Sequence, residues 1–283
     1  MTCSVSLVHS IADLRARIAV FRARGERVGL VPTMGALHAG HLSLVEDLRK
    51  RAERVVVTIF VNPKQFAAGE DFGKYPRTLP SDLELLASVG ADLCFAPAVE
   101  DMYPPGFSTA VSQEGPAKAD LEDHFRPTHF DGVATVVTKL LNQAQADVAV
   151  FGEKDYQQLL VIRHLARDLD IATEILAAPT LREADGLAMS SRNVYLSAAE
   201  RAVAPALHRA LTRAAERIRA GEEIGHAMAE GYETLVGAGF AIDYFEARHA
   251  ETLARVVTLQ DGPVRLLAAA KLGATRLIDN LAV

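Results

Sequence analysis

The sequence contains few cysteines, no excess of basic residues and no long apolar run. Its two cysteines are Cys3 and Cys94, and we interpret neither as disulfide-bonded, which indicates a reducing compartment. Lysine and arginine number 30 against 36 aspartates and glutamates, and this net charge of −6 argues against nucleic-acid or anionic-membrane binding. No apolar run approaches the ~20 residues of a membrane span, and the N-terminus lacks the apolar core of a signal peptide. We therefore expect a cytoplasmic protein with no nucleic-acid or membrane partner.

The first two-thirds of the chain alternates predicted strands with predicted helices. Five apolar runs have the length and composition of buried strands. They cover residues 27–32, 54–62, 91–97, 147–152 and 171–179. Apolar residues at helical spacing mark the segments 41–53, 130–146 and 155–169. Continuous apolar strands separated by helices are typical of a parallel sheet covered on both faces, so the sequence predicts a doubly wound, Rossmann-like α/β domain.

The pattern changes after about residue 180. Ser197 and Glu200 form a predicted capping box at the start of a long Ala- and Arg-rich helix, in which Pro205 predicts a kink or break. A second helix follows, and the last forty residues have the pattern of strands joined by polar turns. The length of 283 residues also favours two domains, since domains average roughly 150 residues. We therefore predict a catalytic domain over 1–180 and a smaller α+β domain over 181–283.

The segment "PTMGALHAGH" (32–41) places His38 and His41 three residues apart, directly after a predicted strand. Such histidines could simply cap the helix or face solvent. A metal site would need a third ligand, and neither cysteine is near in sequence. Alternatively, Gly35 and Gly40 allow a tight turn, and the next helix directs its N–H groups and positive dipole end at an anion that both imidazoles contact. We favour the anion site, because open α/β sheets bind ligands at the carboxyl ends of their strands.

Three further polar segments are predicted to contribute ligand contacts. "GEKDYQQ" (152–158) follows a predicted strand, where Lys154 suits a phosphate and Asp155 suits ribose hydroxyls. "READGLAMSSRN" (182–193) is a polar loop whose hydroxyls and guanidinium suit a phosphate clamp. "FVNPKQF" (60–66) places two amides at another strand end. Taken alone, segments of this composition are usually solvated surface.

Six segments together resemble the pantothenate synthetase (pantoate–β-alanine ligase) family. They are "PTMGALHAGH", "FVNPKQF", "RPTHFDGVATVVTKL", "FGEKDYQQ", "DGLAMSSRN" and "RLIDN". They follow the family's order and spacing over residues 32–280, with Thr128 in place of a glycine that is usual in the family. The resemblance implies a Rossmann domain of the nucleotidyl-transferase superfamily with a small C-terminal lid domain, usually in a homodimer.

The resemblance also implies a reaction and a set of site residues. The family condenses (R)-pantoate with β-alanine, using ATP and Mg²⁺ and releasing AMP and pyrophosphate through a pantoyl adenylate. The positions that match catalytic residues are His38, His41, Lys154 and Arg192. The positions that match the ATP site are Met34, Gly35, Ala36, Leu37, His38, Ala39, Gly40, His41, Gly152, Glu153, Lys154, Asp155, Leu181, Met189, Ser190, Ser191 and Arg192. On the substrate side we expect Gln65 and Gln158 to hold pantoate, with Asn62 nearby, and we take Asp82 as a candidate metal-associated carboxylate.

The implied chemistry is physically consistent. A carboxylate that attacks the α-phosphate needs its own charge and that of the triphosphate neutralised, and helix N–H groups, two histidines, Lys154, Arg192 and Mg²⁺ supply this.

Two rival functions are an adenylyltransferase that leaves AMP on its substrate and a nucleotide sensor without turnover. The two glutamines and the "MSSRN" loop favour the ligase over the adenylyltransferase. The intact histidines and Lys154 argue against the sensor.

Overall fold

The computed structural model describes residues 5–67 and 69–283. The described residues form two compact units. The first comprises the described part of Met1–Lys118 together with Glu122–Gly152 and Gln158–Ala178. The second comprises Ala119–Leu121, Glu153–Gln157 and Pro179–Val283. The functional division at residue 180 remains a prediction.

The first unit is built on a six-stranded parallel sheet. Its strands are β1 (Ser6–Val8), β2 (Val28–Thr33), β3 (Arg54–Ile59), β4 (Leu93–Phe95), β5 (Val148–Gly152) and β6 (Glu174–Ala178). They lie in the order β1-β4-β3-β2-β5-β6, so the direction of winding reverses between β2 and β5. This confirms the predicted doubly wound sheet, and the reversal marks the point at which such sheets bind ligands.

The helices of the first part of the chain connect these strands. They are α1 (Ile11–Ala23), α2 (Ala39–Leu48), α3 (Leu79–Ser88), α4 (Val99–Met102), α5 (Glu122–Phe125), α6 (His129–Ala144) and α7 (Tyr156–Asp168). Three consecutive valines of β3, Val55 to Val57, are completely buried. Burial of successive residues means that both faces of the strand are covered, which explains why the central strands are continuous apolar runs rather than alternating ones.

The second unit combines helices with an antiparallel sheet. Its helices are α8 (Ala198–Val203), α9 (Ala206–Arg219) and α10 (Ile224–Gly237), and its strands are β7 (Ala241–His249), β8 (Val264–Leu272) and β9 (Thr275–Ala282). The predicted break falls at Pro205, between α8 and α9. Leu207, Leu211 and Ile218 of α9 share one core with Leu266 of β8. The predicted smaller α+β fold is confirmed.

Two expectations from the sequence concern the two cysteines and the absence of a membrane span. Cys94 is a free, buried thiol, and burial together with the nearby Asp82 carboxylate raises its pKa to about 12. Cys3 lies outside the described residues. Among the described residues, no helix combines the length and the apolar character that crossing a membrane requires.

Candidate active site

The loop between β2 and α2 turns through two residues with left-handed backbone. Gly35 has φ +83° and Ala36 has φ +51°. Glycine adopts this region without penalty, but alanine incurs about 1–2 kcal/mol because its Cβ approaches a carbonyl oxygen. Such a conformation persists only where the surrounding structure stabilises it. The turn therefore needs a partner elsewhere in the chain.

Asp82 on α3 is that partner. Its Oδ2 accepts the N–H of Ala36 at 3.1 Å and its Oδ1 accepts the N–H of Leu37 at 2.9 Å. The hydroxyl of Thr78 lies 3.2 Å from both carboxylate oxygens, and Asp82 is only 1% exposed. Successive N–H groups after left-handed residues form a concave anion site, and here a carboxylate of the protein occupies it. Asp82 therefore shapes the turn that leads into His38.

The prediction that Asp82 is associated with a metal remains a prediction. Both of its oxygens already accept hydrogen bonds from the protein. Within residues 5–67 and 69–283, no group of three or more His, Cys, Asp or Glu side chains is arranged to hold a metal ion.

Replacing Asp82 with asparagine is expected to lower the free energy of unfolding by about 1.5–3 kcal/mol, the usual contribution of a hydrogen bond to a charged group. The new amide would point a donor at one of the two N–H groups that the carboxylate binds. Adding Ala36→Gly should restore part of the loss, because glycine removes the left-handed penalty. Urea unfolding measures both effects.

Glu84→Gln is the control for this variant, since it makes the same change of charge at an exposed position on the same helix. An Asp82→Asn protein of unchanged stability would contradict the role in the turn. Unchanged stability combined with a higher Mg²⁺ requirement would favour the metal role instead.

His38 and His41 form a reciprocal cap at the start of α2. His38 is the N-cap residue, and its Nδ1 accepts the N–H of Gly40 at 3.1 Å. The N–H of His38 points to Nδ1 of His41 at 3.4 Å, and the ring centroids are 4.1 Å apart. A nitrogen that accepts a hydrogen bond carries no hydrogen, so in both neutral rings the hydrogen is on Nε2. Both imidazoles thus have the form of Nε2–H donors beside a helix N-terminus, which favours anions.

Two of the predicted substrate amides, Asn62 and Gln65, lie in the first unit and contact one another. Nδ2 of Asn62 donates to Oε1 of Gln65 at 3.0 Å and to the carbonyl of Gly132 at 3.1 Å. Its Oδ1 accepts from the hydroxyl of Tyr103 and the N–H of Lys64. All four hydrogen-bonding positions of this amide are taken. We therefore interpret Asn62 as a support for Gln65.

Gln65 is also held from the "RPTHF" segment, a role that sequence reasoning missed. The backbone carbonyl of Gln65 lies 3.0 Å from Nδ1 of His129 and 3.3 Å from NH2 of Arg126. Arg126 is fixed by two hydrogen bonds of 2.8 Å to Glu70. Burial, reinforced by the charge of Arg126, lowers the pKa of His129 to about 4, so this ring is neutral at physiological pH. The motif itself was visible in the sequence, but its contacts 61 and 64 residues away were not.

A cavity of about 270 Å³ lies beside the same loop. Its lining is mostly apolar and includes Met34, Ile59 and Phe60, with Arg77 and Asp82 as the charged members. Nε2 of Gln65 lies 3.2 Å from the sulfur of Met34, which forms part of the cavity wall. A small ligand in this cavity would contact the first residues of the His-containing loop.

Other predicted ATP residues belong to the second unit. Nζ of Lys154 donates to the carbonyl of Met189 at 3.0 Å, which joins two of the predicted segments. Ser190 caps the short 3₁₀ helix Ser191–Tyr195 by accepting the N–H of Arg192 at 3.2 Å. Burial lowers the pKa of Lys154, the Asp155 carboxylate opposes this shift, and Arg192 lowers the pKa further. A lowered pKa means that the ammonium group is more acidic, and a more acidic N–H is a stronger hydrogen-bond donor to phosphate.

The predicted site residues thus fall into two sets, one in each unit. The first unit contains Met34–His41, Asn62, Gln65, Asp82, Gly152 and Gln158. The second contains Glu153, Lys154, Asp155, Leu181 and Met189–Arg192. Within the second set, the N–H of Met189 donates to the carbonyl of Leu181 at 3.0 Å.

The fold and the histidine cap define a class of protein. A doubly wound parallel sheet with a helix N-terminus at its switch point is characteristic of α/β proteins that bind nucleotides and other phosphates. The family model for pantoate-beta-alanine ligase matches residues 6–282. The chain belongs to the pantoate–β-alanine ligase family.

Individual relatives agree with this assignment along the whole chain. The pantothenate synthetase of Nitrobacter hamburgensis is 58% identical over 278 residues, 98% of each chain. Pantothenate synthetase 2 of Bradyrhizobium diazoefficiens is 57% identical over 283 residues, 100% of each chain. The crystal structure of pantothenate synthetase from Thermus thermophilus has a TM-score of 0.93 and 48% identity, covering 98% of this chain and 99% of that one.

A more distant structure contains ligands. The pantoate-beta-alanine ligase from Francisella tularensis, complexed with beta-gamma ATP and beta-alanine, has a TM-score of 0.79 and 30% identity. The match covers 99% of this chain and 98% of that one.

Proposed function

We propose that this chain condenses (R)-pantoate with β-alanine at the expense of ATP, through a pantoyl adenylate, to give pantothenate, AMP and pyrophosphate. The observation that carries the proposal is the pair of Nε2–H imidazoles at the N-terminus of α2, at the switch point of the sheet. Membership of the family and the ATP and β-alanine named for the Francisella relative support the same reaction.

The first step transfers the adenylyl group to pantoate. A pantoate carboxylate oxygen attacks the α-phosphorus, and the bond from that phosphorus to the oxygen that bridges to the β-phosphate breaks. Pyrophosphate leaves with the electron pair and gains negative charge. Nε2–H of His38 and of His41 donate to phosphate oxygens as this charge develops, and the positive end of the α2 dipole stabilises it further. Because these donors are held by the cap, little reorganisation is needed at the moment of reaction.

In the second step the amine of β-alanine attacks the acyl carbon of the adenylate. AMP leaves with the electron pair of the broken acyl–oxygen bond, and the attacking nitrogen loses a proton. The amine must be neutral to act as a nucleophile.

Gln65 and Gln158 are proposed to hold pantoate. Gln65 is suited to this role because Asn62 binds its side-chain amide, while Arg126 and His129 hold its backbone carbonyl. A rigid amide loses little entropy on binding and discriminates strongly against ligands that leave it unpaired. Asn62 would act through Gln65 rather than by direct contact.

The second unit is proposed to contribute Lys154, Asp155 and the Met189–Arg192 segment, which would bind phosphate and ribose.

Mg²⁺ is commonly held by one or two carboxylates and by substrate phosphates rather than by an all-protein cluster. The described residues contain no group of three or more such ligands, and we propose that Mg²⁺ is bound mainly through ATP. When bound, Mg²⁺ neutralises charge on the phosphates. We further propose a cytoplasmic homodimer.

The adenylyltransferase is the second candidate function, since it would use the same histidine cap. The two reactions differ in the fate of AMP, which the ligase releases and the adenylyltransferase leaves on its product. The site around Gln65 favours the ligase, because it supplies a rigid amide for a small polar acid.

Isotope exchange tests the proposal. With ATP, Mg²⁺ and pantoate but no β-alanine, the enzyme is expected to exchange labelled pyrophosphate into ATP, because adenylation is reversible. Adding β-alanine should then release AMP and no ADP. Reactions without pantoate, and with β-alanine alone, are the controls. Release of ADP would indicate an acyl phosphate, AMP retained on the product would indicate an adenylyltransferase, and neither exchange nor turnover would refute catalysis.

A further inference from the structure

The terminal "RLIDN" segment lies in β9 and ends in two buried polar residues, Asp279 and Asn280. They are 4% and 3% exposed. A buried polar side chain is costly unless it is hydrogen-bonded, so the partners of these two residues indicate why they are there. Oδ1 of Asp279 accepts the backbone N–H of Asn280 at 2.8 Å, which fixes the carboxylate of Asp279 against the backbone of the next residue.

Asn280 holds the backbone of the lysine segment. Its Nδ2 donates to the carbonyls of Glu153 and Lys154, both at 2.9 Å. Its Oδ1 accepts from Nε of Arg265 at 2.7 Å, and Arg265 in turn binds the carboxylate of Glu153 at 3.0 Å. Arg265 also lies over the ring of Tyr156, with its guanidinium carbon 4.0 Å from the centroid. The peptide that carries Lys154 is therefore fixed by both of its flanking carbonyls.

Asp279 holds the start of the serine-rich loop. Its two oxygens accept from NH1 and NH2 of Arg182 at 2.7 and 2.9 Å, and NH1 of Arg182 also donates to the carbonyl of Gly186. His208 lies 3.4 Å from the same carboxylate. Burial alone would raise the pKa of Asp279, but the neighbouring His208 ring and the hydrogen-bonded Arg182 bring it below its usual value. The carboxylate is thus ionised, and the pair with Arg182 is bidentate and charge-assisted.

These two sets of contacts close into a ring. Asn280 fixes Lys154, whose Nζ donates to the carbonyl of Met189, and Met189 lies in the loop that begins at Arg182. Arg182 returns to Asp279, the neighbour of Asn280. Every member of the ring belongs to the second unit.

We propose that Asp279 and Asn280 are positioning residues for ATP, which hold Lys154 and the Met189–Arg192 segment in one fixed arrangement. The inference rests on the proposed function for the identity of the ligand. Neither residue needs to touch ATP. Asn280 acts through the peptide of Lys154, and Asp279 acts through Arg182.

Asn280→Asp tests the proposal with almost no change in size. It removes both donors and places a carboxylate against two carbonyl oxygens. Because the peptide that carries Lys154 loses both of these bonds and is displaced, we expect kcat/KM for ATP to decrease roughly 10- to 100-fold. The KM for pantoate should change by less than about twofold. Asn280→Ala, which adds no charge, replaces this variant if it does not fold.

Leu277→Ala is the matched control. Leu277 is a buried core residue of the same strand, so its truncation destabilises the unit without altering the ring. It should lower Tm and leave kcat/KM for ATP per folded molecule unchanged. Equal loss for ATP in the two variants, or equal loss for ATP and pantoate in Asn280→Asp, would overturn the proposal and leave only a structural role.

A second measurement separates this inference from the proposed reaction. ATP with Mg²⁺ should raise the Tm of the unsubstituted protein, and the increase should be smaller in Asn280→Asp at the same ATP concentration. If the unsubstituted protein exchanges pyrophosphate and Asn280→Asp does so equally well, the positioning role is wrong and the reaction stands. If the unsubstituted protein shows no exchange, the reaction is wrong, and the comparison of Tm shifts still decides whether the ring supports ATP binding.

Discussion

His41→Ala is expected to slow pantoate-dependent pyrophosphate exchange by roughly 10²–10³-fold, the usual effect of losing one pre-organised donor at a developing charge. The protein should remain folded, because His41 is near the N-terminus of α2 and only half-buried. Alanine removes two functions at once, however. Nδ1 of His41 accepts the N–H of His38, and its Nε2–H is the proposed donor to phosphate.

Two amide variants separate these functions. The oxygen of asparagine falls near the position of an imidazole Nδ1, so His41→Asn retains the cap and loses the outward donor. The nitrogen of glutamine falls near the position of Nε2, so His41→Gln retains a donor and loses the cap. If the donor matters, His41→Asn should be as slow as His41→Ala, and His41→Gln should recover part of the rate.

His226→Ala is the control, since that histidine is highly exposed on α10. The rate of pyrophosphate exchange and circular dichroism should be measured for all four variants. Near-normal exchange in His41→Asn would show that the outward donor is not used and would refute the role proposed for His41.

Gly132→Ala is expected to damage pantoate binding and stability together. Gly132 lies on α6, and an added Cβ would overlap the carbonyl oxygen of Lys64 and lie 2.6 Å from the nitrogen of Gln65. Both are backbone atoms, so no side chain can rotate to relieve the clash. Either the helix or the short 3₁₀ helix Pro63–Gln65 must move, and the bond from Asn62 to the carbonyl of Gly132 would be strained.

Overpacking of this kind typically costs about 1–3 kcal/mol, which predicts a decrease in Tm of several degrees. Because the displaced segment carries Gln65, the KM for pantoate should rise roughly tenfold or more, well beyond any change in the KM for ATP. Steady-state kinetics with each substrate varied in turn measures the difference.

The matched control is Gly237→Ala, a change in another helix. No heavy atom lies within 4 Å of the position that a Cβ would take at Gly237. Alanine is the better helix former, so this variant should be neutral or slightly more stable. A Gly132→Ala protein with normal pantoate kinetics would show that Gln65 tolerates displacement, and would argue against its role in binding pantoate.

The sheet could be predicted because its central strands are buried on both faces and therefore form unbroken apolar runs. The first strand, Ser6–Val8, was not predicted, since three residues are too few to show a pattern. The helix at Ala39 was expected to start two residues later, because its first turn contains alanine and glycine rather than the apolar periodicity that marks its interior.

The histidine pair could be found in the sequence because its geometry is local to one turn. The long-range contacts that hold the site residues in place could not be predicted from local spacing. Asp82 binds the backbone of Ala36 from 46 residues away, and Asn280 binds that of Lys154 from 126 residues away. A carboxylate in "PSDLELL" has the pattern of a plain helix start, and only tertiary packing shows where its oxygens point. Such contacts leave no periodic pattern in the sequence.

Thr128 illustrates the opposite case, a sequence difference without a structural penalty. It replaces a glycine that is usual in the family, immediately before α6. Its φ of −102° and ψ of 0° are accessible to any L-residue, so glycine is not required there. Arg126 and His129 contact the backbone carbonyl of Gln65. At both of these positions the segment has the residue that is usual in the family.

The carboxylate of Asp82 accepts the N–H groups of Ala36 and Leu37, which form the kind of backbone anion site that in other proteins often binds the phosphate of a ligand. The anion that shapes the turn is therefore covalently part of the chain and cannot dissociate with the product. The conformational entropy of this loop is lost once, when the protein folds, rather than in every catalytic cycle. We accordingly expect the backbone from Gly35 to His38 to have the same conformation with and without ATP, and the affinity for nucleotide not to be reduced by the cost of ordering it.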